Sequence, residues 1–259
     1  MIKLVHITDS HLGAKPGDPL LSMNPDESLM DVLTLVKAEQ ARVDWILATG
    51  DIASGAYLSA YQRFKTTVSD NLTAPMAWLP GNHDDYQMME DVVPNSKHQL
   101  INHDYWLIIL LDSHVPGKVY GNFAPSELDY LSQALRENPD KHVLIAFHHQ
   151  PVPIGSTWMD RYIIQNATTF WDLISANNKV RCVLWGHVHQ EYDRMKESIR
   201  LLSTPSTCIQ FAPNQVSFKV STQMPGYRWI ELHDDGRIKT AVSRVPQKDY
   251  GTDYHSRGY

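Results

Sequence analysis

Carboxylate, amide and imidazole side chains recur at five places along the chain, each beside a glycine or at the end of an apolar run. They are Asp9-Ser10-His11, Gly50-Asp51, Gly81-Asn82-His83-Asp84, His148 and Gly186-His187-Val188-His189. Oxygen and imidazole donors without thiolate suit iron, manganese or zinc at a catalytic site rather than at a closed structural site. Two such ions side by side activate a shared water and polarise phosphoryl oxygens, so the pattern indicates metal-assisted phosphoester hydrolysis.

The elements that must position these residues are strands. Apolar runs of strand length cover residues 2–8, 45–49, 76–79, 106–112, 143–147 and 180–185. Just beyond the carboxyl ends of five of these runs lie Asp9, Asp51, Asn82, His148 and His187. In open α/β sheets, binding sites form at that edge. We therefore expect these side chains to converge on one cavity.

The local spacing supports the same interpretation. Residues at positions i and i+2 of an extended segment face the same way, so Asp9 with His11, and His187 with His189, could each present two ligands to the cavity. A glycine directly before a ligand lets the backbone approach an ion closely. Three of the candidates are preceded in this way, by Gly50, Gly81 and Gly186.

Helical patterns separate the strand-like runs, which predicts an α/β fold. The clearest helix begins with Asn24 as N-cap and Pro25 at the first position. Its apolar face is formed by Leu29, Val32, Leu33 and Val36. A second helix carries Tyr57, Tyr61, Phe64 and Val68 as expected packing residues, and a third opens at Ser126. Beyond Gly186 the pattern predicts strands at 199–203, 227–232 and 238–245, the last two forming a hairpin around Asp234-Asp235-Gly236.

Composition limits the classes of function. A chain of 259 residues with 42% hydrophobic content is expected to form a single domain over 1–259, with a polar, loosely held tail at 247–259. A net charge of -6 disfavours a nucleic-acid partner. Without a long apolar run or a leader, a soluble, cytoplasmic protein is expected. Cys182 and Cys208 are expected to be packed thiols of a reducing compartment.

The five blocks, in their order from Asp9 to His189, resemble the calcineurin-like metallophosphoesterases. Residues 148–153 (His-His-Gln-Pro-Val-Pro), residues 203–208 (Ser-Thr-Pro-Ser-Thr-Cys) and Gly258-Tyr259 further resemble the bacterial class III 3',5'-cyclic AMP phosphodiesterases. The resemblance implies a metallophosphoesterase sandwich of two mixed β-sheets flanked by helices. It also implies two divalent metal ions, for which iron and manganese are expected first and zinc is the alternative.

By this resemblance, the ligands divide between the two ions. One ion would be held by Asp9, His11 and His189, and the other by Asn82, His148 and His187, with Asp51 bridging both. With two carboxylates and a bridging hydroxide, the centre keeps about one positive charge and attracts an anionic phosphodiester. The substrate-binding residues are then expected to be His11, Asp51, Asn82, His83 and His189.

The expected reaction is hydrolysis of cyclic AMP to 5'-AMP by the metal-bridging hydroxide. His83 is assigned as the general acid for the departing alkoxide. Asp84 is expected to accept a hydrogen bond from the opposite ring nitrogen of His83, although it could also be a solvated turn carboxylate. His149 is given a structural role. Base recognition could involve Trp158-Met159-Asp160-Arg161 and Asn166, with Trp158 in the core or at a subunit contact as the alternative.

Other readings of the same residues stay open. The metal site would equally serve a glycerophosphodiester or another small diester. A nuclease is disfavoured by the negative charge. A non-catalytic interaction module is the alternative from another class, and the presence of His83 argues against it. The sequence also leaves open whether the chain forms a homo-oligomer.

Overall fold

Two stacked β-sheets with helices on their outer faces make up the protein, as seen in a computed structural model that describes residues 1–94, 96 and 99–258. The helices are α1 (Pro25–Glu39), α2 (Leu58–Asn71), α3 (Tyr86–Val92), α4 (Pro125–Glu137) and α5 (Ala167–Ser175), with a short 3-10 turn at Asp160–Tyr162. The α/β sandwich of two mixed sheets expected from the resemblance is therefore confirmed.

The first sheet has five strands in the order β13-β12-β1-β2-β3. Its members are β1 (Ile2–Ile7), β2 (Trp45–Ala48), β3 (Met76–Trp78), β12 (Gly226–Leu232) and β13 (Ile238–Arg244). β1, β2 and β3 run parallel, whereas β12 pairs antiparallel with both β1 and β13. The parallel arrangement brings the segments after β1, β2 and β3 to the same edge.

The second sheet has six strands in the order β4-β5-β6-β7-β9-β8. Its members are β4 (Leu100–Asn102), β5 (Trp106–Leu110), β6 (His142–Phe147), β7 (Val180–Trp185), β8 (Tyr192–Lys196) and β9 (Ile199–Ser203). The four central strands are parallel, and the two edge strands are antiparallel to their neighbours. A separate ribbon joins β10 (Gln210–Phe211) to β11 (Val220–Ser221).

Side chains that alternate between the two faces of the strands divide the hydrophobic core into two clusters. Leu4, Leu144 and Leu184 belong to a cluster between the sheets, whereas Val5 and Ile145 belong to the larger cluster under the helices. Because both faces of each central strand are covered, the strands read in the sequence as continuous apolar runs. Cys182 and Cys208 are buried free thiols, as expected.

Local signals explain where α1 begins. Oδ1 of Asn24 accepts hydrogen bonds from the backbone N–H groups of Asp26 (3.1 Å) and Glu27 (3.3 Å), and Pro25 occupies the first turn. The four apolar residues predicted for its inner face are buried. Tyr61 and Phe64 of α2 pack in the core, but the expectation for Tyr57 was wrong, since it precedes the helix and is 41% exposed.

The segment after β13 also differs from expectation. Residues 247–258 were expected to be loosely held, yet Tyr250 is buried and its hydroxyl donates to Asp31 of α1 at 2.7 Å. Tyr259 lies outside the described residues. Among the helices that the structure describes, none combines the length and apolarity needed to cross a membrane.

Candidate metal centre

The turns after the parallel strands carry the predicted ligands in an unusual backbone conformation. Asp9, His11, Asp51, His187 and His189 have φ between 48° and 62°, in the left-handed region that non-glycine residues seldom adopt. The expectation that Asp9 and His11 share the face of an extended segment was therefore wrong, because both lie in tight turns beyond β1. Such strain persists where the surrounding structure fixes it, and it concentrates at functional sites.

Close approach of these turns depends on two glycines. A Cβ added at Gly81 would lie 2.2 Å from Oδ1 of Asp51, and one added at Gly186 would lie 2.1 Å from Oγ1 of Thr8 and 2.8 Å from Oδ2 of Asp9. Real Cβ atoms do not come so near to other heavy atoms. The glycines are therefore needed to bring the ligand-bearing turns together.

Asp9, His11 and His189 form the first group of donors. Their ligand atoms all lie within 4.8 Å of one another. Nε2 of His189 is 3.1 Å from Nε2 of His11 and 3.4 Å from Oδ1 of Asp9, and all three side chains are buried. This is the set that the resemblance assigned to one ion.

Asp51 lies at the junction with the second group. Its Oδ2 is 3.3 Å from Nε2 of His148 and 3.8 Å from Nε2 of His11. Oδ1 of Asn82 approaches the same Nε2 of His148 at 3.3 Å. His187 completes this side, with its ring centroid 5.0 Å from that of His148. Asp51 thus faces donors of both groups, as expected of a bridging ligand.

The hydrogen bonds of the imidazoles show whether these donors fit a metal. Nδ1 of His148 lies 2.7 Å from the carbonyl oxygen of Thr49, and Nδ1 of His189 lies 2.8 Å from that of Ile209. A carbonyl can only accept, so each Nδ1 carries hydrogen and each Nε2 is directed at a carboxylate. Within the described residues, Nε2 of buried His187 has no hydrogen-bond partner. Imidazole nitrogens gathered around carboxylates in this way fit a bound cation.

The electrostatics of these side chains point the same way. Burial raises the pKa of Asp51, but the charges of His148 and His83 outweigh it and hold that pKa well below its usual range. Burial lowers the pKa of His148, whereas the charge and hydrogen bond of Asp51 raise it to about 9. For His11 and His187, burial dominates and keeps the pKa well below its usual range. The carboxylate stays ionised, and the site attracts positive charge.

His83 reaches the cavity without joining either donor group of the resemblance. Its backbone N–H donates to Oδ1 of Asp51 at 2.9 Å, and its ring packs edge-on against that of His11 at 5.0 Å. Nδ1 of His83 lies 3.3 Å from the carbonyl oxygen of Ser54. Because that oxygen only accepts, Nδ1 carries hydrogen.

Asp84 is placed differently from the expected partner of His83. Its carboxylate accepts from the backbone N–H groups of Gly81 (2.9 Å), Ala53 (3.1 Å) and Ile52 (3.2 Å). Burial and then the charge of Asp51 raise the pKa of Asp84 to about 6, although the three N–H groups oppose the rise. Asp84 therefore joins the turn after β2 to the turn after β3. It is not a solvated turn residue, and its carboxylate accepts from backbone N–H groups instead of from the ring of His83.

His149 has a different environment from the neighbouring His148. Nε2 of His149 lies 3.1 Å from the carbonyl oxygen of Val119, and its Nδ1 lies 2.8 Å from Oγ of Ser113. Burial and then the charge of His187 keep the pKa of His149 well below its usual range. Both ring nitrogens of the neutral ring are used by the protein, which supports the structural role inferred from the sequence.

A cavity of about 280 Å³ opens beside these residues. Its lining consists of Asp51, Asn82, His83, Val119, Trp158, Met159, Tyr162, His187, Phe211, Phe218, Arg257 and Gly258. Trp158 lines it, as one of the sequence interpretations expected, but Arg161 does not, and Asn166 instead bonds to the backbone of Phe123. Arg257, which no sequence signal singled out, also lines the cavity.

Gly81→Ala is expected to weaken both folding and metal binding. The new Cβ would lie 2.4 Å from the backbone nitrogen of Asp51, which cannot rotate away. Overpacking of this kind costs about 1–3 kcal/mol of unfolding free energy. Thermal unfolding and manganese titration measure both effects. Gly55→Ala is the control, because its Cβ would first meet the Tyr57 ring at 3.2 Å. Wild-type metal affinity in Gly81→Ala would contradict the role of this close approach.

Over its whole length the chain is similar in sequence to two bacterial proteins. The chain is 43% identical over 260 residues to the 3',5'-cyclic adenosine monophosphate phosphodiesterase CpdA of Pseudomonas aeruginosa, covering 100% of this chain and 95% of that protein. It is 37% identical over 262 residues to the phosphodiesterase CpdA of Escherichia coli (strain K12), with the same coverage of each chain.

Solved structures agree on the fold. A dimetal phosphatase from Danio rerio superposes with a TM-score of 0.64 at 15% identity, covering 95% of this chain and 99% of that one. A purple acid phosphatase from yellow lupin gives a TM-score of 0.67 at 10% identity, covering 94% of this chain and 51% of that one. The family model described as calcineurin-like phosphoesterase matches residues 2–191. The chain therefore belongs to the calcineurin-like phosphoesterase family.

Proposed function

We propose that this protein is a metal-dependent phosphodiesterase that hydrolyses 3',5'-cyclic AMP to 5'-AMP. The observation that carries the proposal is the convergence of seven predicted ligands beside one cavity. They are Asp9, His11, Asp51, Asn82, His148, His187 and His189. Full-length similarity to proteins named as cyclic AMP phosphodiesterases supports the choice of substrate.

The ligand roles follow the two groups of donors. Asp9, His11 and His189 would hold one ion, Asn82, His148 and His187 the other, and Asp51 both. Two divalent ions held there would lower the pKa of a shared water and polarise the phosphoryl oxygens. We propose iron or manganese, because the donors are imidazole, carboxylate and amide without thiolate. The buried free thiols Cys182 and Cys208 support a cytoplasmic location.

His83 is the proposed general acid. Its Nδ1 is held by the carbonyl of Ser54, so the proton to be transferred lies on Nε2. Opening the cyclic diester breaks the bond between phosphorus and the 3' oxygen, and that oxygen leaves as a strongly basic alkoxide. Donation from Nε2 of His83 would neutralise it as it forms. Asp84 contributes by holding the turn that carries Asn82 and His83 against Asp51.

The cavity wall favours a nucleotide over a glycerophosphodiester. Trp158, Phe211 and Phe218 pack with ring centroids 5.1–5.3 Å apart and line the cavity together. Aromatic side chains are sequence-tolerant platforms on which nucleobases stack. A glycerol or choline group offers no flat face for such a wall.

An activity panel on metal-defined protein tests this proposal. Protein stripped of metal and reloaded with iron or manganese is assayed with cyclic AMP, cyclic GMP, a glycerophosphodiester, bis(4-nitrophenyl) phosphate and single-stranded DNA. We expect cyclic AMP to give the highest kcat/KM among the natural substrates and to yield 5'-AMP. Preferential cleavage of the glycerophosphodiester or DNA would overturn the substrate, and inertness toward every diester would favour a non-catalytic module.

A further inference from the structure

The segment 247–258 is fastened across the first helix. Nζ of Lys248 lies 2.6 Å from Oδ2 of Asp31 and 2.7 Å from Oε1 of Glu27, both in α1. Tyr250 is buried and donates its hydroxyl proton to the same oxygen of Asp31 at 2.7 Å. The backbone N–H of Asp253 donates to the carbonyl oxygen of Leu21 at 2.8 Å. These bonds direct the segment from the outer helix toward the metal centre.

Beyond these anchors, the segment forms part of the substrate cavity. Arg257 and Gly258 line the same cavity as Asp51, Asn82 and His83. Among the described lining residues, Arg257 is the only lysine or arginine. A guanidinium stays charged at any physiological pH and offers several N–H donors in one plane. The cavity thus receives a cationic residue from a part of the chain remote in sequence from the candidate ligands.

Aromatic rings lie directly beside the candidate metal ligands in the cavity. The ring of Phe211 stacks on that of His189, with centroids 4.1 Å apart and planes 6° apart. Trp158 packs against Phe211 at 5.1 Å and against Phe218 at 5.2 Å. An occupant whose phosphoryl group lies at the ligands would therefore place its organic part along these rings.

We propose that Arg257 binds the nucleobase of the substrate across from the wall of Trp158, Phe211 and Phe218. The proposal rests on the function proposed above. A purine has ring-nitrogen acceptors, and an acceptor left without a partner in a cavity costs affinity. A guanidinium can donate to such an acceptor or lie over the base plane as a cation–π partner. The phosphoryl charge, in contrast, is met by the metal centre and His83.

The test compares a nucleotide with its base-free counterpart. Binding of 5'-AMP and of ribose 5-phosphate to manganese-loaded protein is measured by isothermal titration calorimetry. Arg257→Gln is expected to weaken 5'-AMP binding roughly tenfold and to leave ribose 5-phosphate unchanged. KM for cyclic AMP is expected to rise by a similar factor, with kcat held within about twofold. If both ligands lose affinity equally, Arg257 contacts the phosphate and not the base. If neither affinity changes, Arg257 does not contact the bound ligand.

Matched variants separate this effect from a loss of charge or of fold. Arg237→Gln removes another exposed arginine, in the β12–β13 hairpin near the amino end of β6, and is expected to bind both ligands as wild type does. Removal of residues 256–259 is expected to weaken 5'-AMP binding at least as much as Arg257→Gln. If wild-type protein cleaves bis(4-nitrophenyl) phosphate but not cyclic AMP, the proposed function fails, whereas unchanged 5'-AMP binding in Arg257→Gln refutes only the role of Arg257.

Discussion

In a His83→Ala variant, kcat for cyclic AMP is expected to fall by roughly 10²–10⁴-fold while the bound metal is retained. His83 lines the cavity, and its Nδ1 is held by the carbonyl of Ser54 rather than by the donor groups. Its removal therefore takes away the proton for the departing 3' oxygen without removing a ligand. Steady-state kinetics combined with metal analysis by plasma mass spectrometry measures both quantities.

A change of leaving group provides the control for this prediction. 4-Nitrophenolate is a weak base and departs without a proton, so His83→Ala should lower kcat for bis(4-nitrophenyl) phosphate by no more than about tenfold. A general acid gives this difference between substrates, whereas a disturbed metal centre slows both alike. Equal losses for the two diesters, or unchanged turnover of cyclic AMP, would contradict the assignment of His83.

In an Asp51→Ala variant, metal affinity is expected to fall on the order of 10²-fold or more, and activity to disappear with it. The carboxylate of Asp51 faces His148 and His11 at 3.3 and 3.8 Å, so its loss removes the anion shared by both donor groups. Metal content after dialysis should drop from two ions per chain to one or none. Manganese titration by calorimetry follows the same loss.

A control variant and a folding measurement show whether the metal loss in Asp51→Ala is specific. Asp172→Ala removes an exposed carboxylate from α5 and should retain both ions. Circular dichroism and thermal unfolding show whether Asp51→Ala still folds, since Asp51 is only 2% exposed and accepts the backbone N–H of His83. A folded Asp51→Ala protein that keeps two ions would contradict the bridging position of Asp51.

The candidate ligands could be predicted from the sequence because each is coupled to a local pattern. Asp9 and His148 directly follow apolar runs whose β-strand character is clear, and within each of the two sheets the parallel strands bring their ends to one edge. Gly81 and Gly186 directly precede candidate ligands in the sequence, and the structure shows that any Cβ at these positions would be too close to neighbouring atoms. The positive φ at Asp9 and His11 could not be foreseen, because tertiary contacts rather than residue type impose it.

Other parts of the site depend on the path of the chain in three dimensions. Arg257 reaches the cavity only because Lys248 and Tyr250 fasten the preceding segment to α1. Asp84 bonds to the turn after β2, about thirty residues away in sequence, instead of to the adjacent His83. β8 was missed because its residues are mostly exposed and polar, and it forms by pairing at an edge with β9.

We propose that seven side chains hold two metal ions at this edge of the sheets. Anomalous diffraction from crystals grown with manganese tests it most directly. We predict two anomalous peaks, one contacting Asp9, His11 and His189, the other contacting Asn82, His148 and His187, with Asp51 in contact with both. A single peak, or peaks away from these side chains, would contradict the claim.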